Sequence, residues 1–297
     1  MRVAAVVVTY NRLNLLKENL KSLLYQSIPC DIILINNAST DGTEEYILEI
    51  NESRIKYFNT GKNLGGAGGF AKGIEIGEKE GYDYLWVMDD DAVPEANALE
   101  SLVYKATSLK NDFSFLASTV YWTNGKLFPM NIPDIKDDIN KENVVCFIKK
   151  YKLIPIKSAS FVGCFVNTNF SIDCGLPISE FFIYGDDVEY TSRLRKKNKA
   201  FLDLDSVIVH KAPSIAGADI ANASNDRIER FYFQSRNGMY ISKKKSIFSV
   251  LNRFIKVFKK TKEIIQSDAN KKIRRIFVLY KGTIMGLLFN PRIKYSR

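Results

Sequence analysis

Tyr84-Leu-Trp-Val-Met-Asp-Asp-Asp91 is five largely apolar residues followed at once by three carboxylates. An apolar run without alternation reads as a strand buried on both faces, the kind that sits inside a parallel sheet. The segments before it share that character. Val3–Val8 is a second apolar run, ended by Thr9-Tyr-Asn-Arg12, and Leu13, Leu16, Leu20, Leu23 and Leu24 then recur at helical spacing. Asp31–Ile35 predicts a strand, and the polar turn Asn36–Thr43 opens a helix through Ile50, with N-cap chemistry in its Ser, Thr and Asp. Arg54–Asn59 predicts a third strand, followed by a glycine-rich loop and a helix over Phe70–Glu80. Strand–helix alternation of this kind implies a parallel, Rossmann-like sheet, whose ligands bind beyond the carboxyl ends of the strands. The polar clusters fall at that edge. From Phe113 to His210 the pattern is less regular, with strand candidates at Phe115–Val120, Ala159–Val166 and Ala200–Val209, which predicts a mixed sheet and a substrate-facing half.

Three adjacent carboxylates repel one another unless a positive group sits among them. Carboxylate ligation suits Mg²⁺ or Mn²⁺. On extended backbone Asp89 and Asp91 project to one side and Asp90 to the other, so one side can hold metal while Asp90 is left for ribose or sugar. A solvated acidic turn is the bland alternative, and the buried run before it argues against that. Asn63-Leu-Gly-Gly-Ala-Gly-Gly69 packs four glycines into five residues before a helix, which allows close backbone approach to an anion or simply a tight turn. It is neither a Walker loop nor a dinucleotide fingerprint. Asp186-Asp187-Val-Glu189 follows the aromatic run Phe181-Phe-Ile-Tyr-Gly185. A carboxylate in such surroundings has a raised pKa suited to a general base, and the same residues also suit a helix N-terminus. His210 is the single histidine and closes a strand.

The chain has 297 residues, with 43 Lys+Arg against 33 Asp+Glu, for a net charge of +10. Sixteen of the basic residues and only two acids fall after Ser242, so a tail of +14 follows a body of −4. The boundary expected from this shift gives a body over 1–242 and a basic helical extension over 243–297. Within 1–242, the half to about 110 alternates strand and helix regularly, and the half beyond it is the less regular, substrate-facing one. Ile247, Leu251, Phe254, Ile255 and Phe258 form an apolar stripe among Arg253, Lys256, Lys259 and Lys260, and Ile273–Leu288 repeats the pattern. Such helices lie on an anionic membrane surface, or pack on the rest of the chain or a second subunit, so a homo-oligomer stays open. With the charge confined to the tail and no recognised module, nucleic acid is not an expected partner. No run reaches the ~18 apolar residues of a bilayer span. Cys30, Cys146, Cys164 and Cys174 lack metal-ligand spacing and read as reduced core thiols of a cytoplasmic protein.

The motifs Val-Thr-Tyr-Asn-Arg12, Asn37-Ala-Ser-Thr-Asp-Gly-Thr43, Asn63-Leu-Gly-Gly, Asp89-Asp-Asp91 and Phe182-Ile-Tyr-Gly-Asp-Asp-Val-Glu189 resemble, in order over about 1–215, glycosyltransferase family 2. The resemblance implies inverting enzymes of the GT-A fold: a Rossmann-like mixed sheet flanked by helices. Within the family the motifs look most like bacterial galactofuranosyltransferases, while rhamnosyltransferases using dTDP-rhamnose share much of the pattern. The likeness implies a UDP-sugar donor, here UDP-galactofuranose, a carbohydrate or lipid-linked glycan acceptor of cell-surface polysaccharide synthesis, and Mn²⁺ or Mg²⁺. It implies that Thr9, Arg12, Asn36, Asn63, Gly65, Gly66, Asp90, Gly163 and Asp186 line the substrate pockets. Asp89, Asp91 and His210 would hold the metal, and Asp187 would be the base. Many relatives have Asp where this chain has Asn36. Peripheral attachment to the inner face of the cytoplasmic membrane fits such an acceptor. A non-catalytic nucleotide-sugar-binding module explains the glycine loop but not two carboxylate clusters and a histidine. A nucleotidyltransferase would need a basic phosphate-binding segment near the N-terminus, where only Arg12 is offered.

Overall fold

The apolar runs become the middle of one mixed sheet in a computed structural model that describes residues 1–135, 141–214 and 219–296, apart from the side chains of 141–144 and 146. In chain order the elements are β1 (Val3–Thr9), α1 (Leu13–Leu24), β2 (Asp31–Asn36), α2 (Thr43–Ile50), β3 (Ile55–Asn59), α3 (Gly65–Lys79), β4 (Tyr84–Asp89), β5 (Ala92–Pro94), α4 (Ala98–Ser108) and β6 (Phe115–Trp122). They continue with β7 (Asp134–Ile135), α5 (Lys141–Tyr151), β8 (Leu153–Ser158), β9 (Val162–Asn167), α6 (Thr168–Cys174), α7 (Asp186–Arg195), β10 (Ala200–His210), α8 (Arg230–Lys245), α9 (Ile247–Gln266) and α10 (Lys272–Leu288). The chain forms two compact units.

The first unit comprises Met1–Ser179, Asp187–Ile215 and Ile293–Arg297. Its strands run β3-β2-β1-β4-β9-β6-β10-β8-β7, with β5 paired to β10. The first four are parallel, β9 is antiparallel to both its neighbours, and β10 is parallel to β6. The sheet is therefore mixed, as the irregular half predicts. Both faces of β1 are buried: Ala5 and Val7 join one apolar core, Ala4, Val6 and Val8 the other. That explains why its sequence does not alternate.

Helix α3 starts at Gly65, not Phe70, so most of the expected glycine loop is helix. Packing is the reason. A Cβ on Gly69, Gly73 or Gly77 would lie 2.3–2.5 Å from side-chain carbons of Val8, Val6 and Leu85 respectively. Glycines four apart put one bare stripe against the sheet, and close contact outweighs glycine's poor helix propensity. The expected N-cap of α2 also differs. Gly42 takes that position with φ 85° and no side-chain cap, while Asp41 accepts from Leu13 N–H at 2.9 Å, at the start of α1. Cys30, Cys164 and Cys174 are buried free thiols; the side chain of Cys146 lies outside the described residues.

The second unit comprises Glu180–Asp186 and Ala216–Arg292. This division differs from the boundary expected after Ser242, because α8 runs unbroken through that residue. Charge composition changes there; backbone packing does not. Gly282 and Gly286 of α10 lie against the carbonyls of Tyr232 and Arg236 on α8, where a Cβ would come within 2.5 Å of each oxygen. Val257 and Ile264 face inward from α9 to a core with Phe231 and Val278. The stripe Ile247, Leu251, Phe254, Ile255 and Phe258 faces outward, as do Ile273, Phe277, Ile284 and Leu288 of α10. Among the described residues no helix is long and apolar enough to cross a membrane.

Candidate active site

Strands β1, β4 and β10 end in Thr9, Asp89 and His210, which gather at the carboxyl edge of the first unit's sheet. The chain leaves β4 through the turn Asp90-Asp91 and folds back as β5 along β10, pairing Ala92 with His210. The Lys211 N–H then donates to the Asp91 carbonyl at 2.9 Å. Topology thus sets the acidic turn beside the lone histidine. One side-chain ligand atom from each of Asp89, Asp91 and His210 lies within 4.8 Å of the others.

Hydrogen bonding fixes the state of that histidine. Asn131 Nδ2 donates to Ser160 Oγ at 2.7 Å, which turns the amide oxygen toward His210 Nδ1 at 2.9 Å. An amide oxygen only accepts, so Nδ1 carries the proton and Nε2 of the neutral ring is a lone pair. Nε2 lies 3.1 Å from Asp91 Oδ1, a buried oxygen with no hydrogen-bond partner. Two acceptors facing each other need a cation between them or a second proton on the ring. With Asp89 they form an O,O,N set that fits a divalent metal. Phe128 packs edge-on to the imidazole, with ring centres 5.0 Å apart.

Asp90 turns the other way. Thr9 Oγ1 donates to its Oδ2 at 2.7 Å, and Arg12 Nη1 lies 3.4 Å from its Oδ1 and 2.6 Å from Asp91 Oδ2. Thr9 and Arg12, expected to line a nucleotide pocket, are here seen holding the acidic turn. Burial pushes the Asp90 carboxyl up to about 6 despite Arg12. Burial also raises Asp91, but His210, when its ring carries a second proton, and Arg12 outweigh it and hold the group below the usual carboxylate range.

The other expected residues fall into separate clusters. Asn36 is fully buried; its Nδ2 donates to Tyr57 Oη at 2.8 Å and its Oδ1 accepts from Ser39 N–H at 2.9 Å, so it braces the turn after β2. Asn63 Oδ1 accepts from Gly65 N–H at 2.8 Å, and the Gly65 carbonyl accepts from Asn37 Nδ2 at 3.0 Å. Gly65 has φ 72°, which a glycine takes without strain, whereas a Cβ on Gly66 would meet only ordinary contact. Gly163 is a packing glycine: φ is 81°, and a Cβ would sit 2.2 Å from Ile208 Cδ1.

Asp187 stands in the first turn of α7, where its Oδ1 accepts from Val188 N–H at 2.7 Å. Thr191, one turn on, accepts from Ala159 N–H at 3.0 Å and places its hydroxyl 2.7 Å from the Asp187 carbonyl. Burial pushes the Asp187 carboxyl up to about 6, against the N–H groups of Val188 and Phe161. Asp186 is buried and belongs to the second unit. There Asn237 Nδ2 lies 2.8–3.0 Å from the carbonyls of Phe181, Ile183 and Tyr184, and Phe182 and Tyr184 adopt positive φ. Sequence reading missed Asn131, Asn37, Thr191 and Asn237. Asn131 sits between Pro129 and Pro133, outside any periodic pattern that could have flagged it.

Known proteins give this geometry a context. The model of the family described as "Glycosyl transferase family 2" matches residues 4–173, more than half of the chain. Galactofuranosyltransferase GlfT1 of Mycobacterium tuberculosis is 26% identical over 259 residues, covering 81% of this chain and 82% of its own length. Its counterpart in Mycolicibacterium smegmatis is 25% identical over 250 residues, covering 81% and 83%. The crystal structure of S. aureus TarS 1–349 in complex with UDP superposes with a TM-score of 0.57 at 16% identity, covering 98% of this chain and 73% of that one. GalNAc-T7 with UDP, GalNAc and Mn²⁺ gives 0.57 at 14%, covering 81% and 50%. At those identities the solved structures speak for the fold, which is GT-A. The chain belongs to glycosyl transferase family 2 and is a glycosyltransferase.

Proposed function

We propose that this glycosyltransferase moves galactofuranose from UDP-galactofuranose to a carbohydrate acceptor with inversion at the anomeric carbon. The observation that carries a metal-dependent transfer is the pair of facing acceptors, Asp91 Oδ1 and His210 Nε2, with Asp89 beside them. A nitrogen donor among carboxylates favours Mn²⁺ over Mg²⁺. Bound there, the cation would neutralise the diphosphate as negative charge develops on it. The galactofuranose assignment rests on the likeness to GlfT1 over most of both chains.

The chain's own residues do the rest. Thr9 and Arg12 hold the Asp90-Asp91 turn, and Asn131 orients the imidazole with Nε2 toward Asp91. The Asp187 carboxylate accepts the proton of the acceptor hydroxyl as that oxygen bonds to the anomeric carbon. The bond from that carbon to the diphosphate oxygen breaks, and the electron pair leaves with UDP. A base whose pKa is near 6 is ionised at neutral pH yet still takes a proton readily. The glycine-opened start of α3, with Asn63, Gly65 and Gly66, would border the donor, and Asp90 would contact its sugar end.

The outward apolar stripes of α9 and α10, set among lysines and arginines, support peripheral binding to the anionic inner face of the cytoplasmic membrane and a lipid-linked acceptor. A donor screen with purified protein tests the assignment. UDP released from UDP-galactofuranose only with acceptor present supports it. dTDP released from dTDP-rhamnose would make the enzyme a rhamnosyltransferase, and binding without turnover would make it a sugar-nucleotide-binding module.

A further inference from the structure

The second unit holds a cavity of about 500 Å³, lined by Arg253, Lys256, Lys259 and Lys260 against two carboxylates, Asp219 and Glu263. Both carboxylates pair with Lys260. Arg253 has none: Nη2 donates to the Gln234 carbonyl at 3.1 Å, while Nε is buried without any partner. Burial lowers the proton affinity of its guanidinium and no acid offsets this.

Two features show that the arginine's place is built rather than incidental. Arg253 and Lys260 share the inward stripe of α9 with Val257 and Ile264, where apolar residues would be the stable choice. Moreover, α8 carries Gly238 at the point of contact, where a Cβ would lie 2.4 Å from Arg253 Nη2 and 2.5 Å from its Cζ. Arg275, in the same unit, is the contrast. Its Nε donates to the Asn270 carbonyl, Nη1 to the Ile220 carbonyl and Nη2 to the Ala223 carbonyl. Arg275 is used up holding backbone together; Arg253, beside the cavity, spends one donor on the Gln234 carbonyl and leaves Nε without a partner.

We propose that this cavity is a second anion site that takes a phosphate ester or diphosphate group, remote in composition from the acidic centre. The guanidinium donors of Arg253 that the Gln234 carbonyl does not take supply directional hydrogen bonds to phosphate oxygens, and Lys256 and Lys259 at the exposed rim supply charge. The group can come from a membrane lipid's headgroup or from a soluble phosphate, and two probes separate these sources. Inorganic pyrophosphate is titrated by calorimetry into the full-length protein in EDTA, so that no cation recruits it to the acidic centre. Flotation with phosphatidic acid vesicles, against phosphatidylcholine vesicles, is run beside it. Arg253→Gln and the rim double variant K256Q/K259Q are compared with K262Q/K281Q, which removes the same charge from α9 and α10 outside the cavity.

At least one probe binds the unaltered protein, and a natively melting pocket variant weakens it by about tenfold or more while the control does not. Loss in flotation identifies a headgroup; loss in calorimetry alone identifies a soluble phosphate. Lys256 and Lys259 are exposed, so the rim variant keeps its fold if Arg253→Gln does not. Binding of neither probe, or pocket variants that match the control, overturns the proposal.

Discussion

The two units concentrate charge in opposite senses and answer it differently. At the end of β4 three carboxylates crowd together, and Arg12 supplies one compensating charge. What stays unanswered is a single buried oxygen, Asp91 Oδ1, facing an imidazole lone pair. In the second unit the excess is cationic, and what stays unanswered is Arg253 Nε. Burying a polar atom without a partner costs on the order of 1–3 kcal/mol, so such atoms mark places where folding alone does not explain the residue. In the acidic turn the missing partner is positive; in the helical unit it is negative.

That contrast can be broken from either side, most severely at the acidic end. In EDTA, transfer should fall to background and return with Mn²⁺; full turnover in the chelator would remove the metal from the account. Asp187→Asn should lower kcat by roughly 10²–10⁴ while nucleotide affinity, read by calorimetry, stays unchanged. Because the raised carboxyl must be ionised to act, kcat/KM should climb as pH rises through about 6 and level off above it. A profile flat across that range would argue for another base. Asn131→Ala should weaken Mn²⁺ about 10–100-fold in a metal titration, with kcat recovering at saturating metal. Loss that excess Mn²⁺ leaves unrepaired would mean that Asn131 does more than hold the ring. The smallest effect is structural. Gly73→Ala should cost about 1–3 kcal/mol in urea unfolding, because its Cβ would meet Val6 Cγ1 at 2.4 Å, whereas Gly66→Ala should cost far less.

Strand reasoning found the acidic centre because it asks only where strands end. β1, β4 and β10 finish at Thr9, Asp89 and His210, and those ends were visible as changes from apolar to polar residues. The start of α3 was hidden for a physical reason: glycine signals a loop by composition, and only the distance to Val6, Val8 and Leu85 reveals a packing stripe. Asn131 was hidden because a side chain that orients another leaves no period in the sequence. Charge misdirected the division of the chain. The jump in lysine content after Ser242 falls within α8, whose glycine-mediated contact with α10 begins well before it. The tail's stripe was legible, but which way it faced was not. Apolar periodicity ordinarily points inward, and on α9 Ile247, Leu251 and Phe258 point out while Arg253 points in.

The last few residues do not share the fate of the helices before them. Ile293–Arg297 returns to the first unit, where the Lys294 carbonyl accepts from Leu176 N–H at 2.8 Å and Ile293 fills the space left by Gly175. For anyone building shorter forms of the enzyme, the basic helices are thus an insertion and not an appendage. A stop codon after Ser242 would strip a piece of the catalytic unit as well, and dead protein would be mistaken for a role of the helices in transfer. Excising the helices internally, with a linker that keeps 293–297, separates the two.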